Sequence, residues 1–520
     1  MFDFQSFLSG SLLYILLINF VLICVLILAN IRNIASFFRK IKIHVWVAFI
    51  LIFLLGSYLR FTSPGCSSPN GLCWSYVKTS VNMLENQIVE DFWHPKGYSL
   101  LMAAGFFLFG SNYNVILYLN LLLSSLTILM IFLLAYILFK RDYVALFSSL
   151  IYSLFPMSVI LAKLNASEVT SVFFIMLTFL MYFISIKAGK RGLYLLFLLL
   201  LVFSLHVRTD NSIFIPLFIM DFILNRKKFQ IKKLKIPLLI FLIFMIPVSY
   251  YYIIGDNIYG PARDPHYEER PVTFSLGYLI PNVQYHLSSN LAKPYVYPTI
   301  LYAFLLFSLL FVSKERSLIF LFSWVAFFFL FYGLYWATLY TNPQLYQLTL
   351  QPALAILMGY GIFKAKDLVE RTVENRFPFR IPHMVRTTGV FVVLILILLL
   401  FHSSTNVFVF EKDDCLIDNI IHFGSYVKDN DCLLFESSQS NYCMSSPEMV
   451  MKILLPDKHL TSSFSGCRNK GGKYYLYVNH TMCDTTFFGY GRLIFDQLKK
   501  NHTLALVEEK GCTRLYKIVD

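Results

Sequence analysis

Residues 60–110 read RFTSPGCSSPNGLCWSYVKTSVNMLENQIVEDFWHPKGYSLLMAAGFFLFG. From Arg60 to Lys96 this is a polar loop of about 35 residues, far longer than the usual connection between membrane helices. It holds Cys66, Cys73, Tyr76, the carboxylates Glu85, Glu90 and Asp91, and the run His94-Pro95-Lys96-Gly97-Tyr98. Gly97–Gly110 follows as an apolar run of about 13 residues, too short to cross the hydrocarbon and suited to a re-entrant or interfacial helix. A long loop set between apolar helices predicts function in the loop. The rest of the chain reads as its scaffold or its lid.

Outward from that stretch the chain is greasy. With 57% hydrophobic residues, 14% charged residues and 52 phenylalanines in 520 positions, it cannot hide its apolar side chains as a soluble domain. A net charge of +14 would suit nucleic acid, but the distribution excludes that partner. About 23 of the 44 Lys and Arg fall in Arg32–Lys42, Lys140–Arg141, Lys187–Arg191, Arg226–Lys235, Lys314–Arg316 and Lys364–Arg386, the pattern of cytoplasmic loops. Apolar runs near 8–30, 44–60, 114–139, 143–162, 168–187, 192–207, 211–225, 235–254, 298–313, 317–338, 347–363 and 387–402 predict about twelve spans. With the basic loops inside, both termini lie outside, as do the loop at 61–96, the turns at 163–168, 206–211 and 340–346, and the charged loop at 255–297 with Arg263, Asp264, His266, Glu268, Glu269 and Arg270. The Met1–Gln5 lead is acidic, which argues against a cleavable signal peptide.

The tail from Ser403 changes character. Cys415, Cys432, Cys443, Cys467, Cys483 and Cys512 lie in it, an even number that predicts disulfides outside the cytoplasm. It lacks C-x-x-C spacing for zinc. Short β-type runs occur at Asp431–Glu436, Lys473–Val478 and Leu504–Val507, and a hairpin is expected to turn at Glu509-Lys510-Gly511. The sequons at Asn479 and Asn501 agree with an outer location.

Four stretches complete the pattern. The first is an Arg ending a span, Tyr76 in the loop, then HPKGYSLLMAAGFFLFG over 94–110. The second runs from Pro156 through an outer turn to Glu168, which opens the next helix. The third is His206-Val-Arg-Thr-Asp210, and the fourth Tyr346-Gln-Leu-Thr-Leu-Gln-Pro352 heading a late span. Together they resemble the GT-C glycosyltransferases, in particular the dolichyl-phosphate-mannose–protein mannosyltransferase and aminoarabinose transferase group, over roughly residues 45–402 in layout. Two departures stand out. No Asp or Glu occurs from Phe61 to Leu84, where that group carries an acid before the loop tyrosine, and its late-span arginine is replaced here by Leu345 or Gln347.

The resemblance implies a mainly α, polytopic transmembrane bundle of GT-C type over residues 1–402. A small extracytoplasmic α/β domain would follow over 403–520. It implies a membrane glycosyltransferase that moves a sugar from a polyprenyl-phosphate donor such as dolichyl phosphate mannose. The acceptor would be a protein, glycan or lipid on the extracytoplasmic face. A non-catalytic relative and a transporter or flippase of lipid-linked sugars are the alternatives; few intramembrane charges and no visible internal repeat weigh against the transporter.

Such a transfer needs a base for the acceptor hydroxyl and positive charge for the leaving phosphate. The candidate catalytic acids are Glu85, Glu90, Asp91 and Glu168, each with a bland reading as a solvated or helix-start acid. The candidate phosphate contacts are His94, Lys96 and Arg208. His94 is also readable as a surface histidine, and Lys96 as a snorkelling side chain. Arg208 is readable as the partner of Asp210 in an ion pair closing its turn, although charge at that depth points to function. Tyr76, Asp210, Tyr346 and Gln347 complete the site list. A divalent metal stays open as a cofactor, with His94 or Glu168 among its ligands. Ser167 or Asn165 is the expected cap of the helix that Glu168 opens, and the aromatic stripes of the spans read as lipid-facing and packing surface.

Overall fold

Long apolar runs with few breakers fold as helices because a membrane interior leaves every backbone group to be satisfied within the segment. The computed structural model describes residues 4–63, 72–85, 95–163, 167–258, 274–291, 300–335 and 346–376. In the tail it describes 422, 425–427, 431–435, 459–461, 474–479, 499–500, 502–510 and 513–519. The helices are α1 (Phe4–Ser36), α2 (Ile43–Thr62), α3 (Leu72–Leu84), α4 (Gly97–Phe109), α5 (Tyr113–Phe139), α6 (Asp142–Leu154), α7 (Pro156–Ile160) and α8 (Ser167–Ala188). They continue as α9 (Arg191–Val207), α10 (Phe214–Asn225), α11 (Ile231–Ile258), α12 (Leu279–Tyr285), α13 (Ile300–Leu309), α14 (Arg316–Leu334) and α15 (Gln351–Arg376).

Six helices among the described residues are long and apolar enough to cross a membrane, or seven if the bent pair α6–α7 is one span. Of the twelve expected spans, these criteria bear out six or seven among the described residues. The expected span at 143–162 is broken by 63° between Leu154 and Pro156, because proline lacks the N–H that would continue the helix. The expected span at 211–225 is a 3-10 turn followed by the short α10, and that at 298–313 yields only the ten residues of α13. The expected span at 387–402 lies outside the described residues. Gly97–Gly110, in contrast, folds as the short helix foreseen, α4, which at 1.5 Å per residue is about 20 Å long.

Burial orders the bundle. The span of α15 is 89% buried and that of α8 78%, whereas α1 is 22% buried, so α15 and α8 are central and α1 faces lipid. A Cβ on Gly361 would lie 2.0 Å from the Phe304 carbonyl oxygen, so α15 and α13 approach as closely as they do only with glycine there. Aromatic residues cement the interior: Phe179 on α8 meets Phe214, Phe218, Phe320 and Trp324 at ring separations of 4.5–5.4 Å.

The basic loops meet one another at one end of the bundle. Lys190 Nζ donates to Asn33 Oδ1 at 2.5 Å, Lys187 Nζ to the Ile137 carbonyl at 2.6 Å, and Lys233 Nζ to the Gly189 carbonyl at 2.9 Å. Of these acceptors the Ile137 carbonyl lies in the last turn of α5, where carbonyls lack a donor within their own helix.

In the tail, β1 (Cys432–Phe435), β2 (His459–Thr461), β3 (Tyr474–Asn479), β4 (Leu504–Lys510) and β5 (Thr513–Ile518) form one sheet in the order β2-β1-β3-β5-β4. β1 is parallel to β2 and β3, while β5 is antiparallel to β3 and β4. The expected hairpin forms, but Glu509 and Lys510 belong to its first strand rather than to its turn. The register is irregular between Leu506 and Glu508, and Glu509 lies opposite Arg514 in the ladder. Cys24 is a free, exposed thiol on α1. The side chains of the other cysteines lie outside the described residues, as does the charged patch from Arg263 to Arg270.

Candidate functional site

At the end of the bundle opposite the basic loops, three charged side chains converge. The chain leaves α9 at Val207, Arg208 is extended, and Thr209–Ile213 forms a 3-10 turn into α10. Asn211 holds that turn: its Nδ2 donates to the Ser204 carbonyl at 2.8 Å, and its Oδ1 accepts from Ser171 Oγ of α8 at 2.9 Å. One side chain thus adds a second bond to a carbonyl of the last turn of α9, which also accepts from the Arg208 N–H, and ties the turn to α8.

Arg208 is set between two acids. Its Nε donates to Asp210 Oδ1 at 2.9 Å, its Nη2 to Asp210 Oδ2 at 2.8 Å, and its Nη1 to Glu168 Oε1. Tyr332 of α14 donates to Asp210 Oδ2 at 2.5 Å, and the guanidinium stands 5.5 Å from the centre of the Tyr346 ring. The Arg208, Glu168 and Asp210 side chains are 14%, 12% and 16% exposed, so the cluster is recessed but reachable. Burial alone would raise the Asp210 carboxyl, but the Arg208 charge, with the Arg208 and Tyr332 hydrogen bonds, outweighs it and holds the group below the ordinary carboxylate range. The Arg208 guanidinium is pushed well above its ordinary value: burial opposes its charge, and the two carboxylates overcome that.

The long loop packs beside this cluster. Within it α3 buries Tyr76, Val77, Ser80 and Met83. The Tyr76 carbonyl accepts from Ser80 Oγ at 2.6 Å and from Ser99 Oγ of α4 at 3.0 Å, and its ring meets Tyr98 edge-on at 5.3 Å. Asn120 of α5 donates to the Tyr98 hydroxyl at 2.8 Å and accepts from Thr170 Oγ1 of α8 at 3.1 Å. At Gly97 a Cβ would sit 2.7 Å from the His206 carbonyl group, so the glycine lets the start of α4 press on the end of α9. That contact brings Lys96, buried at 4% exposure, alongside the Arg208 turn.

The predicted residues thus divide. Glu168, Arg208, Asp210 and Tyr346 come together, and Lys96 is buried where the start of α4 meets the end of α9. Tyr76 is buried among α3, α4 and α8. Gln347 is buried, 3.4 Å from His286 Nδ1. Glu85 is exposed at the end of α3. Glu90, Asp91 and His94 lie outside the described residues, as does Asn165. Ser167 does not cap its helix as expected; its Oγ donates to the Tyr76 hydroxyl at 3.2 Å. Among the described residues no three His, Cys, Asp or Glu side chains are arranged for a metal ion, and the two carboxylates of the cluster converge on a guanidinium instead. That donor set does not fit a divalent metal. Tyr332, Asn211 and Asn120 were not foreseen. Tyr332 sits in an aromatic stripe that reads as packing surface, and nothing in its neighbours marks it out.

Residues 93–251 match the family model described as dolichyl-phosphate-mannose-protein mannosyltransferase. The fold is similar to ArnT from Cupriavidus metallidurans in the apo state (TM-score 0.56, 12% identity) and bound to undecaprenyl phosphate (TM-score 0.57, 11% identity). Each match covers 91% of this chain and 97% of that one. It is also similar to the archaeal oligosaccharyltransferase AglB from Archaeoglobus fulgidus in complex with an inhibitory peptide and a dolichol-phosphate. There the TM-score is 0.50 at 10% identity, covering 91% of this chain and 74% of that one. No curated protein matches the chain by sequence. At such identities the structural likeness is one of fold.

Proposed function

We propose that this chain, whose fold is similar to those of ArnT and AglB, transfers a sugar from a polyprenyl-phosphate donor to an acceptor hydroxyl at the membrane face bearing the Arg208 cluster. The observation that carries this reading is the recessed group of Glu168, Arg208 and Asp210 at the end of the bundle opposite the basic loops. Collection of the basic loops at the other end supports an extracytoplasmic face for the cluster. Two structural neighbours carry undecaprenyl phosphate and dolichol-phosphate, which supports the donor class.

In the proposed step the acceptor oxygen bonds to the anomeric carbon as the bond from that carbon to the phosphate oxygen breaks. The electron pair leaves with the phosphate, and the hydroxyl proton passes to a carboxylate. Arg208 and Lys96 meet the phosphate charge. Three of the five Arg208 N–H groups bond Asp210 and Glu168, which leaves one on each terminal nitrogen for a phosphate oxygen. Asp210 and Tyr332 fix the guanidinium plane. Glu168 is the base, since it is the acid of the cluster not bonded by Tyr332.

The test is a purified full-length chain in nanodiscs supplied with polyprenyl-phosphate-linked hexoses and pentoses. Glu168→Gln should lower turnover about 100-fold or more with donor affinity little changed. Arg208→Ala should weaken donor binding by about 1.5–3 kcal/mol. Full turnover in Glu168→Gln would move the base to Glu85, Glu90 or Asp91. No transfer and no polyprenyl-phosphate binding by the wild type would overturn the reading.

A further inference from the structure

At the basic end, α10 and α14 diverge around a cavity of about 290 Å³ lined by Ile223, Leu224, Asn225, Arg226, Lys227 and Arg316. This is close to the lower limit for a small-molecule site. Both helices start or finish at the Arg208 cluster on their other ends, so the cavity lies on the opposite membrane face. Three of its six lining residues are cations and none is an acid. Arg226, Lys227 and Arg316 are exposed at its rim.

The nearest buried acid is turned away. Asp221 accepts from the Tyr182 hydroxyl at 2.7 Å and from Asn225 Nδ2 at 2.9 Å, so its charge is spent inside the bundle. That second bond also fixes the Asn225 amide at the inner wall of the cavity. Arg316 adds to the positive field. It is the first residue of α14 and directly follows the N-cap Glu315, whose side chain makes no capping bond and whose charge offsets part of that field. Above the cations the wall turns apolar: Ile219, Ile223 and Leu224 on α10 are 54%, 62% and 58% exposed.

A cationic pocket opening onto an exposed aliphatic ridge matches one kind of molecule. The phosphate needs the cations, and the acyl chains need the ridge. We propose that the cavity at Asn225, Arg226, Lys227 and Arg316 is a binding site for an anionic glycerophospholipid. The site anchors α10 and α14 to the leaflet opposite the Arg208 cluster, and it does not depend on the reaction proposed there.

Native mass spectrometry of the full-length chain, exchanged with phosphatidylglycerol or phosphatidylcholine, tests this. The wild type should retain phosphatidylglycerol in preference to phosphatidylcholine. Each of Arg226→Gln, Lys227→Gln and Arg316→Gln should weaken that retention about fivefold, and the triple variant should abolish the preference. The exposed triple Arg39→Gln, Lys40→Gln and Lys42→Gln removes equal charge from another basic loop and should keep it. Equal loss in the two triples would show that only total charge matters, and would overturn the site. Displacement of phosphatidylglycerol by millimolar inorganic phosphate would reassign the cavity to a free anion and overturn the lipid assignment.

Discussion

Two arginines, Arg60 and Arg208, end successive parts of the same scaffold and are handled in opposite ways. Arg60, in the last turn of α2, is fully buried. Its Nε donates to Ser124 Oγ at 2.9 Å, its Nη1 to the carbonyls of Gly56 at 3.0 Å and Ser153 at 2.9 Å. Its Nη2 donates to the Tyr152 carbonyl at 3.3 Å and Ser158 Oγ at 3.0 Å. All five N–H groups are used, and every acceptor is neutral. Two of the three carbonyls belong to the last turn of α6, beside the break at Pro156; that of Tyr152 also accepts from the Phe155 N–H and from Ser158 Oγ. Arg60 thus closes the broken span, with the negative end of the α6 dipole in place of a counter-ion. Arg208 faces two carboxylates, keeps N–H groups to spare and is partly exposed. A saturated arginine builds the fold, whereas an ion-paired and unsaturated one is left to do chemistry.

The largest effect that would break this contrast is expected at Arg60. Arg60→Met strips donors from buried carbonyls at about 1–3 kcal/mol each, so the chain should lose about 3 kcal/mol or more of stability, read as thermal unfolding in detergent. Unchanged melting would refute the structural role. Arg208→Met should also destabilise, by about 3–5 kcal/mol, because it strands two recessed carboxylates. Here the loss should be largely recovered by adding Asp210→Asn and Glu168→Gln, a rescue with no counterpart at Arg60; absence of rescue would place Arg208 in the same class as Arg60. Tyr332→Phe removes one charge-assisted bond and should cost about 1.5–3 kcal/mol, with donor affinity falling alongside. Donor affinity equal to wild type would detach Tyr332 from the site.

The smallest effect is the pH response. The folded-state carboxyl of Asp210 lies below its ordinary value of about 3.9, so its contribution is complete above that pH and is lost as pH falls below it. Melting curves should be flat in this respect from pH 7 to 5, and then show an acid limb that Asp210→Asn flattens. An acid limb unchanged in that variant would assign the proton elsewhere.

How much of this was legible in the chain depends on the range of the cause. The short α4 and the long loop before it follow from local composition. Glu168, Arg208 and Asp210 announce themselves because charge at a helix end in a membrane is costly. Tyr332 does not, because its partner lies on another helix and its sequence neighbours are aromatic too. The saturation of Arg60 was equally hidden, since its acceptors come from α2, α5, α6 and α7. Span counting failed where hydropathy ignores breakers, at Pro156 and at the 3-10 turn before α10. In the tail the bulge near Leu506 moved the hairpin turn, an effect set by strand pairing rather than by Gly511.

The short α4 reaches beyond the protein. A helix about 20 Å long stops short of crossing hydrocarbon about 30 Å thick. Its far end carries Phe107, Leu108 and Phe109 exposed by 77%, 68% and 76%. As a re-entrant or interfacial helix it would hold those side chains among acyl chains rather than in water. The end of α4 would then act as an anchor, held by the same transfer of apolar area out of water that packs the bundle.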